Sequence, residues 1–169
     1  MEWSAEQYKD IMAQWASGVT VVTTACDGEL HGLTVSSFIS VSLHPPMVLV
    51  SIGNELSTRD CLKRSGVFAV NLLGTDRIEW GLRFAGMISG ITDRFAGIEW
   101  RPAASGSPIL PGVLAWLDCE IRYAYPGGDH TLFVAEVLHG EARTAPGHPL
   151  LYYHRQWGGF ARLPGDNRD

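Results

Sequence analysis

The segment LTVSSFISVSL, residues 33–43, carries the strongest local pattern in the chain. Leu33, Val35, Ile39, Val41 and Leu43 share one parity, while Thr34, Ser36, Ser40 and Ser42 share the other. That is the two-residue period of a strand with one apolar face and one hydroxyl-bearing face. Ser37 falls on the apolar parity and Phe38 on the hydroxyl parity, so a bulge or a strand end is expected beside them. The hydroxyls have two readings. They belong to a solvated strand face, or Thr34, Ser36 and Ser37 offer hydrogen bonds to the carbonyl and ring-nitrogen edge of a planar heterocycle.

Working outward, the β-branched run from Val19 to Thr24 predicts a strand, and Asp27-Gly28 predicts a hairpin turn into the quoted segment. Further upstream, Ser4 and Gln7 form a capping-box pattern. Tyr8, Ile11, Met12, Trp15 and Ala16 follow at helical spacing, so an amphipathic helix stopped by Gly18 is expected. Downstream of His44-Pro45-Pro46, a strand is predicted from Met47 to Ile52, then a short helix capped by Ser57 and ended by Gly66, then a strand from Val67 to Leu72. A helix from Thr75 or Asp76 to about Phe84 precedes a loop-rich stretch, Ala85 to Pro111. Two long strands follow, Val113 to Tyr125 and His130 to Ala142, joined by Pro126-Gly127-Gly128-Asp129. Roughly four to six mostly antiparallel strands with short helices make the fold class mainly β, a closed or partly closed barrel. One domain is expected over residues 1–169.

Composition removes several function classes. A net charge of −5 with no basic run argues against a nucleic-acid partner. No apolar run approaches the length of a bilayer crossing and no leader pattern opens the chain, so a cytoplasmic protein without a membrane partner is expected. Cys26, Cys61 and Cys119 are odd in number, far apart and without a CxxC, which predicts ordinary buried thiols. His31, His44, His139 and His148 lack ligand spacing and read as surface or structural residues, with no metal site. Signatures of serine hydrolases, zincins, P-loops and dinucleotide folds are missing.

Two further features carry chemistry. Ser51, Gly53 and Asn54 lead into Ser57-Thr58-Arg59 where a strand gives way to a helix. Free N–H groups, hydroxyls and a cation there suit a phosphate, although Ser57 reads equally as a plain helix cap. In Gly128-Asp129-His130 the carboxylate can orient the imidazole at a hairpin rim for a ligand, or the pair is a structural feature of the turn.

The order of GVTVVT (18–23), GLTVSSF (32–38), SVSLHPPMVLVSI (40–52), FAVNLL (68–73), RFA (83–85), DRFAG (93–97) and GDH (128–130) resembles the short-chain flavin reductase family, from about Ala13 to Leu163. The resemblance implies an FMN-binding split barrel, a homodimer, and NADH- or NADPH-dependent reduction of FMN or FAD for a separate flavin-dependent monooxygenase. It implies that Thr34, Val35, Ser36 and Ser37 meet the isoalloxazine. Ser51, Gly53, Asn54, Ser57 and Thr58 hold the ribityl chain and phosphate, and Arg83-Phe84 closes the phosphate side. His130 contacts the nicotinamide. Trp157, where the family pattern has a tyrosine, becomes a further contact, and Val35 replaces a smaller alanine. On this reading the rings do the redox chemistry and the protein orients them, so no side chain need act as acid or base. The alternative is a flavin-binding protein that does not turn over NAD(P)H; a more distant one is a split-barrel relative that binds haem or pyridoxal phosphate.

Overall fold

The computed structural model describes residues 3–164. Helix α1 (Ala5–Met12) starts as the capping box requires: the Ser4 hydroxyl accepts from the Gln7 amide at 3.1 Å, and Gln7 Oε1 accepts from the Ser4 amide at 3.0 Å. It ends earlier than expected. Ser17–Gly18 is a short strand, β1, and no residue of α1 is buried, so Tyr8, Ile11 and Met12 present their apolar side chains outward.

Strands β2 (Thr20–Cys26) and β3 (Glu29–Val35) form the expected hairpin, and Asp27 and Gly28 take positive φ of 53° and 81°. That is the two-residue turn whose twist matches the strands. The break at Ser37 and Phe38 is a strand end. β3 stops at Val35, and β4 (Ile39–Leu43) resumes against β5 (Pro46–Gly53). The apolar parity does not stay in one core across that break. Val35 is buried, whereas Ile39, Val41 and Leu43 are exposed.

Helix α2 (Ser57–Ser65) corrects another expectation. Leu56 holds the N-cap position without a side-chain hydrogen bond, so Ser57 is the first helical residue and its hydroxyl caps nothing. Gly66 ends the helix at φ 69°. Then follow β6 (Val67–Leu72), a 3-10 turn (Thr75–Arg77), α3 (Ile78–Phe84), β7 (Arg101–Pro102), β8 (Pro108–Ile109), β9 (Ala115–Gly127), β10 (His130–Ala142), β11 (Leu150–Tyr153) and β12 (Gln156–Gly159).

The main sheet runs β3-β2-β6-β9-β10-β5-β4, seven strands and all neighbours antiparallel, more than the four to six expected. Val22, Val35, Val50, Phe68, Cys119 and Phe133 project from successive strands into one shared core under α2 residue Leu62. The sheet therefore wraps, but its edges β3 and β4 do not pair, which is a split barrel. A second core on the other face, with Val19, Val21, Phe84 and Phe95, explains why β2 is β-branched on both parities. β1, β11 and β12 form a small separate sheet. The β11–β12 turn uses His154 and Arg155 at φ 51° and 61°, residue types that give no turn signal in sequence.

The cysteines also differ from expectation. Cys26 at the end of β2 and Cys61 in α2 are joined as a disulfide, 35 residues apart, and Cys119 alone is a free, buried thiol. Strand–helix packing, not local spacing, brings the pair together.

Candidate functional site

Thr34 points from β3 toward α3, where its hydroxyl donates to the Gly81 carbonyl at 2.7 Å. A Cβ on Gly81 would come within 2.9 Å of the Trp157 ring, so glycine is what lets β12 close over α3. Trp157 in turn meets Tyr152 edge-to-face at 5.4 Å. Thr34, Ser36, Tyr152 and Trp157 line a cleft of about 180 Å³. Ser36 and Tyr152 also line the adjoining cleft of about 840 Å³, which continues past Ser37 to Met12 and Trp15. Val35 is buried in the barrel interior and its side chain belongs to that core, not to the clefts. The Ser37 hydroxyl is engaged by the Ser51 backbone, at 2.9 Å and 3.1 Å, so Ser51 serves as the anchor of the Ser36–Phe38 link.

A third cleft, about 310 Å³, opens at the start of α2. Exposed Ser57 and buried Thr58 form one wall, and His31, Gly32 and Arg94 stand opposite. Arg94 donates to the carbonyls of Gly32 at 3.1 Å and Phe84 at 2.9 Å. The Arg83 guanidinium reaches the carbonyls of Asp93 and Ala96, so it shapes the Asp93–Gly97 segment from behind. Phe84 is fully buried, edge-on to Phe95 at 5.0 Å. Sequence reasoning gave neither Arg94 nor His31 a role here. Arg94 lies in the loop-rich stretch before Pro111, where no local period marks it, and a histidine in a strand carries no ligand spacing.

His130 opens β10 opposite Gly53 in register, and its Nδ1 lies 2.6 Å from Asp129 Oδ1. That hydrogen bond, and then the charge of the imidazolium, holds the Asp129 carboxyl below the ordinary carboxylate range. Asn54 fastens the hairpin: its amide donates to the Asp129 carbonyl at 2.9 Å, and its Oδ1 accepts from Thr131 at 2.7 Å. Buried Gly53 has the Glu55 carboxylate close above it. Arg59 turns to this side as well, donating to Thr131 Oγ1 at 3.2 Å and to Asp60 at 2.7 Å, away from the Ser57–Thr58 cleft. His130 thus lines a shallow cleft of about 160 Å³ with Asn54 and Arg59, separate within one chain from the Thr34–Trp157 cleft.

Residues 12–161 match the flavin reductase like domain. The chain belongs to that family. It is 36% identical over 155 residues to the reductase subunit of a flavin-dependent monooxygenase of Rhodococcus jostii, covering 91% of this chain and 77% of that one. It is 37% identical over 162 residues to a flavin reductase (NADH) of Kitasatospora aureofaciens, covering 94% and 82%. Among solved structures, the NADH:FAD oxidoreductase of Streptomyces globisporus superposes with a TM-score of 0.87 at 32% identity, covering 96% of each chain.

This flavin reductase-like chain carries a donor set that fits a flavin. Ser36 stands exposed beside two aromatic rings in the apolar Thr34–Trp157 cleft, which suits a flat ring system with a polar edge. The uncapped first turn of α2 leaves the Ser57 hydroxyl available where the helix dipole and Arg94 favour an anion. Among the described residues no helix is long and apolar enough to cross a membrane.

Proposed function

We propose that this flavin reductase takes hydride from NADH or NADPH onto FMN or FAD and releases the reduced flavin to a partner monooxygenase. A bound flavin would supply the redox chemistry, with a nicotinamide as hydride donor. The chain's own residues orient and hold. Thr34 fixes the β3 wall to α3, Ser36 and the backbone from Val35 to Ser37 donate at the ring edge, and Trp157 with Tyr152 forms the apolar side. Ser57 and Thr58, with Arg94, hold the phosphate, and Arg83 holds the segment that carries Arg94. His130, kept in position by Asp129, meets the nicotinamide and moves no proton. Gly53 and Asn54 set the position of that hairpin. The observation that carries the reading is the joining of the Thr34–Trp157 cleft to the larger one through Ser36 and Tyr152 in a chain of this family.

The working unit is a homodimer acting in the cytoplasm. Ile39, Val41 and Leu43 on edge strand β4, and Tyr8, Ile11 and Trp15 near the large cleft, are exposed apolar groups that a second copy would cover. Within one chain His130 lies apart from the Thr34–Trp157 cleft, so on this reading a second chain supplies it there. Sedimentation at twice the mass of one chain supports it, and a concentration-independent monomer opposes it.

Diffusive supply is tested by holding this protein and a flavin-dependent monooxygenase on opposite sides of a dialysis membrane, with catalase and low oxygen. Hydroxylation across the membrane supports release of reduced flavin. Hydroxylation only when the two proteins mix shows transfer by contact.

A further inference from the structure

The Cys26–Cys61 disulfide lies outside every group assigned to hydride transfer, yet it ties together the two walls of the Ser57–Thr58 cleft. Cys61 is fully buried in the second turn of α2, and Ser57 and Thr58 sit one turn earlier on the same helix face. Cys26 ends β2, and past the Asp27-Gly28 turn the chain continues into His31 and Gly32, the opposite wall. Both sulfurs and one His31 ring nitrogen lie within 4.8 Å of one another, and His31 lines the cleft, so sulfur chemistry and cleft share a residue. Arg64 Nη2 stands 3.3 Å from Cys26 Sγ while its Nε holds Asp27 at 3.1 Å. A guanidinium so placed stabilises a thiolate at Cys26.

We propose that Cys26 and Cys61 form a reversible thiol–disulfide switch that sets how tightly the Ser57–Thr58 cleft holds a phosphate-bearing flavin. This rests on the reading of that cleft as the phosphate site. Half-buried Cys26 is the sulfur an external dithiol reaches first. The reagent's thiolate attacks Cys26 Sγ, the bond to Cys61 breaks, and Cys61 leaves as thiolate and takes a proton. The reagent's second thiol then displaces Cys26, which leaves beside Arg64 as the reagent closes into its own disulfide. Two electrons pass to the protein, and the reagent's two thiol protons end on the two protein sulfurs. With the bond cut, α2 is no longer fixed covalently to the hairpin and the cleft is less preorganised for an anion.

The test compares the disulfide and dithiol forms of the same protein, the latter made with dithiothreitol and freed of it without air, each verified by alkylation and mass. Dissociation constants for FMN and riboflavin are measured on both. FMN should bind about three- to tenfold more weakly to the dithiol form, and riboflavin less than twofold more weakly. Cys26→Ser should bind FMN as the dithiol form does, whatever its redox treatment. Equal FMN binding by both forms, with FMN still preferred over riboflavin, overturns the switch and leaves the phosphate cleft standing. Loss of that preference in the disulfide form overturns the cleft reading and the switch with it. An FMN effect that follows bound zinc in the dithiol form and vanishes with a chelator makes Cys26, His31 and Cys61 a metal site instead.

Discussion

The Ser37 hydroxyl makes two hydrogen bonds to one residue, donating to the Ser51 carbonyl at 2.9 Å and accepting the Ser51 amide at 3.1 Å. The link that leaves β3 is thereby fastened to β5, and Ser36 is held at the shared edge of the two clefts.

Ser37→Ala leaves a part-buried N–H and C=O each short of that partner, at a cost of about 1–3 kcal/mol. Thermal unfolding should fall by several degrees and the Michaelis constant for flavin should rise. An unchanged melting temperature with unchanged flavin affinity would show that the link is held by other contacts.

Because Ser57 caps nothing, Ser57→Ala should spare the roughly 1 kcal/mol that losing a true cap costs. The melting temperature should hold while FMN binding weakens and riboflavin binding does not. In the unmodified protein, riboflavin should bind at least roughly tenfold more weakly than FMN, since each charge-assisted bond contributes about 1.5–3 kcal/mol. Equal affinity for the two flavins removes the phosphate assignment.

Local signals read well where the chain obeys one period or one turn type. The β2–β3 hairpin, β6, the Gly66 stop and the break at Ser37 were all legible, because a two-residue period or a glycine with positive φ leaves a mark in the residues themselves. Three things were not. Val35 is buried while Ile39, Val41 and Leu43 of the same parity are exposed, because the strand breaks at Ser37 and an apolar parity does not tell on which side of such a break the chain leaves the core. The β11–β12 turn is built on His154 and Arg155, which pay conformational strain without a glycine to announce it. Cys26 meets Cys61, and Arg94 comes to line the same cleft as Ser57, only through packing between distant segments. At the candidate site the residue types are readable, whereas the directions of two arginines are not: Arg59 turns to the His130 side, and Arg83 bonds the backbone of the segment that carries Arg94.

His130→Ala should chiefly raise the Michaelis constant for NAD(P)H and leave flavin affinity nearly intact. A positioning contact of this kind contributes about 1–2 kcal/mol, so catalytic efficiency should drop roughly five- to thirtyfold. Loss of an essential acid or base costs about 10² to 10⁴. Steady-state kinetics with each substrate varied separate these, and a fall beyond a thousandfold in a folded variant assigns His130 a proton.

Burial, and then the Asp118 charge beside it, pushes the Cys119 thiol from 9.0 up to about 12. The folded state keeps the proton that the unfolded chain gives up, so this stabilisation is whole below 9.0 and is lost as pH rises toward about 12. Over that window unfolding should become easier by at most about 4 kcal/mol more than in Cys119→Ala. Parallel alkaline denaturation curves for the two proteins contradict the buried-thiol account.

The most direct measurement follows the loss of reduced-nicotinamide absorbance by the purified protein, with and without added FMN or FAD. Rapid NADH or NADPH oxidation that requires added flavin and saturates with it is the predicted result. A protein that keeps a bound flavin through purification and oxidises no NAD(P)H, with or without more flavin, contradicts the account.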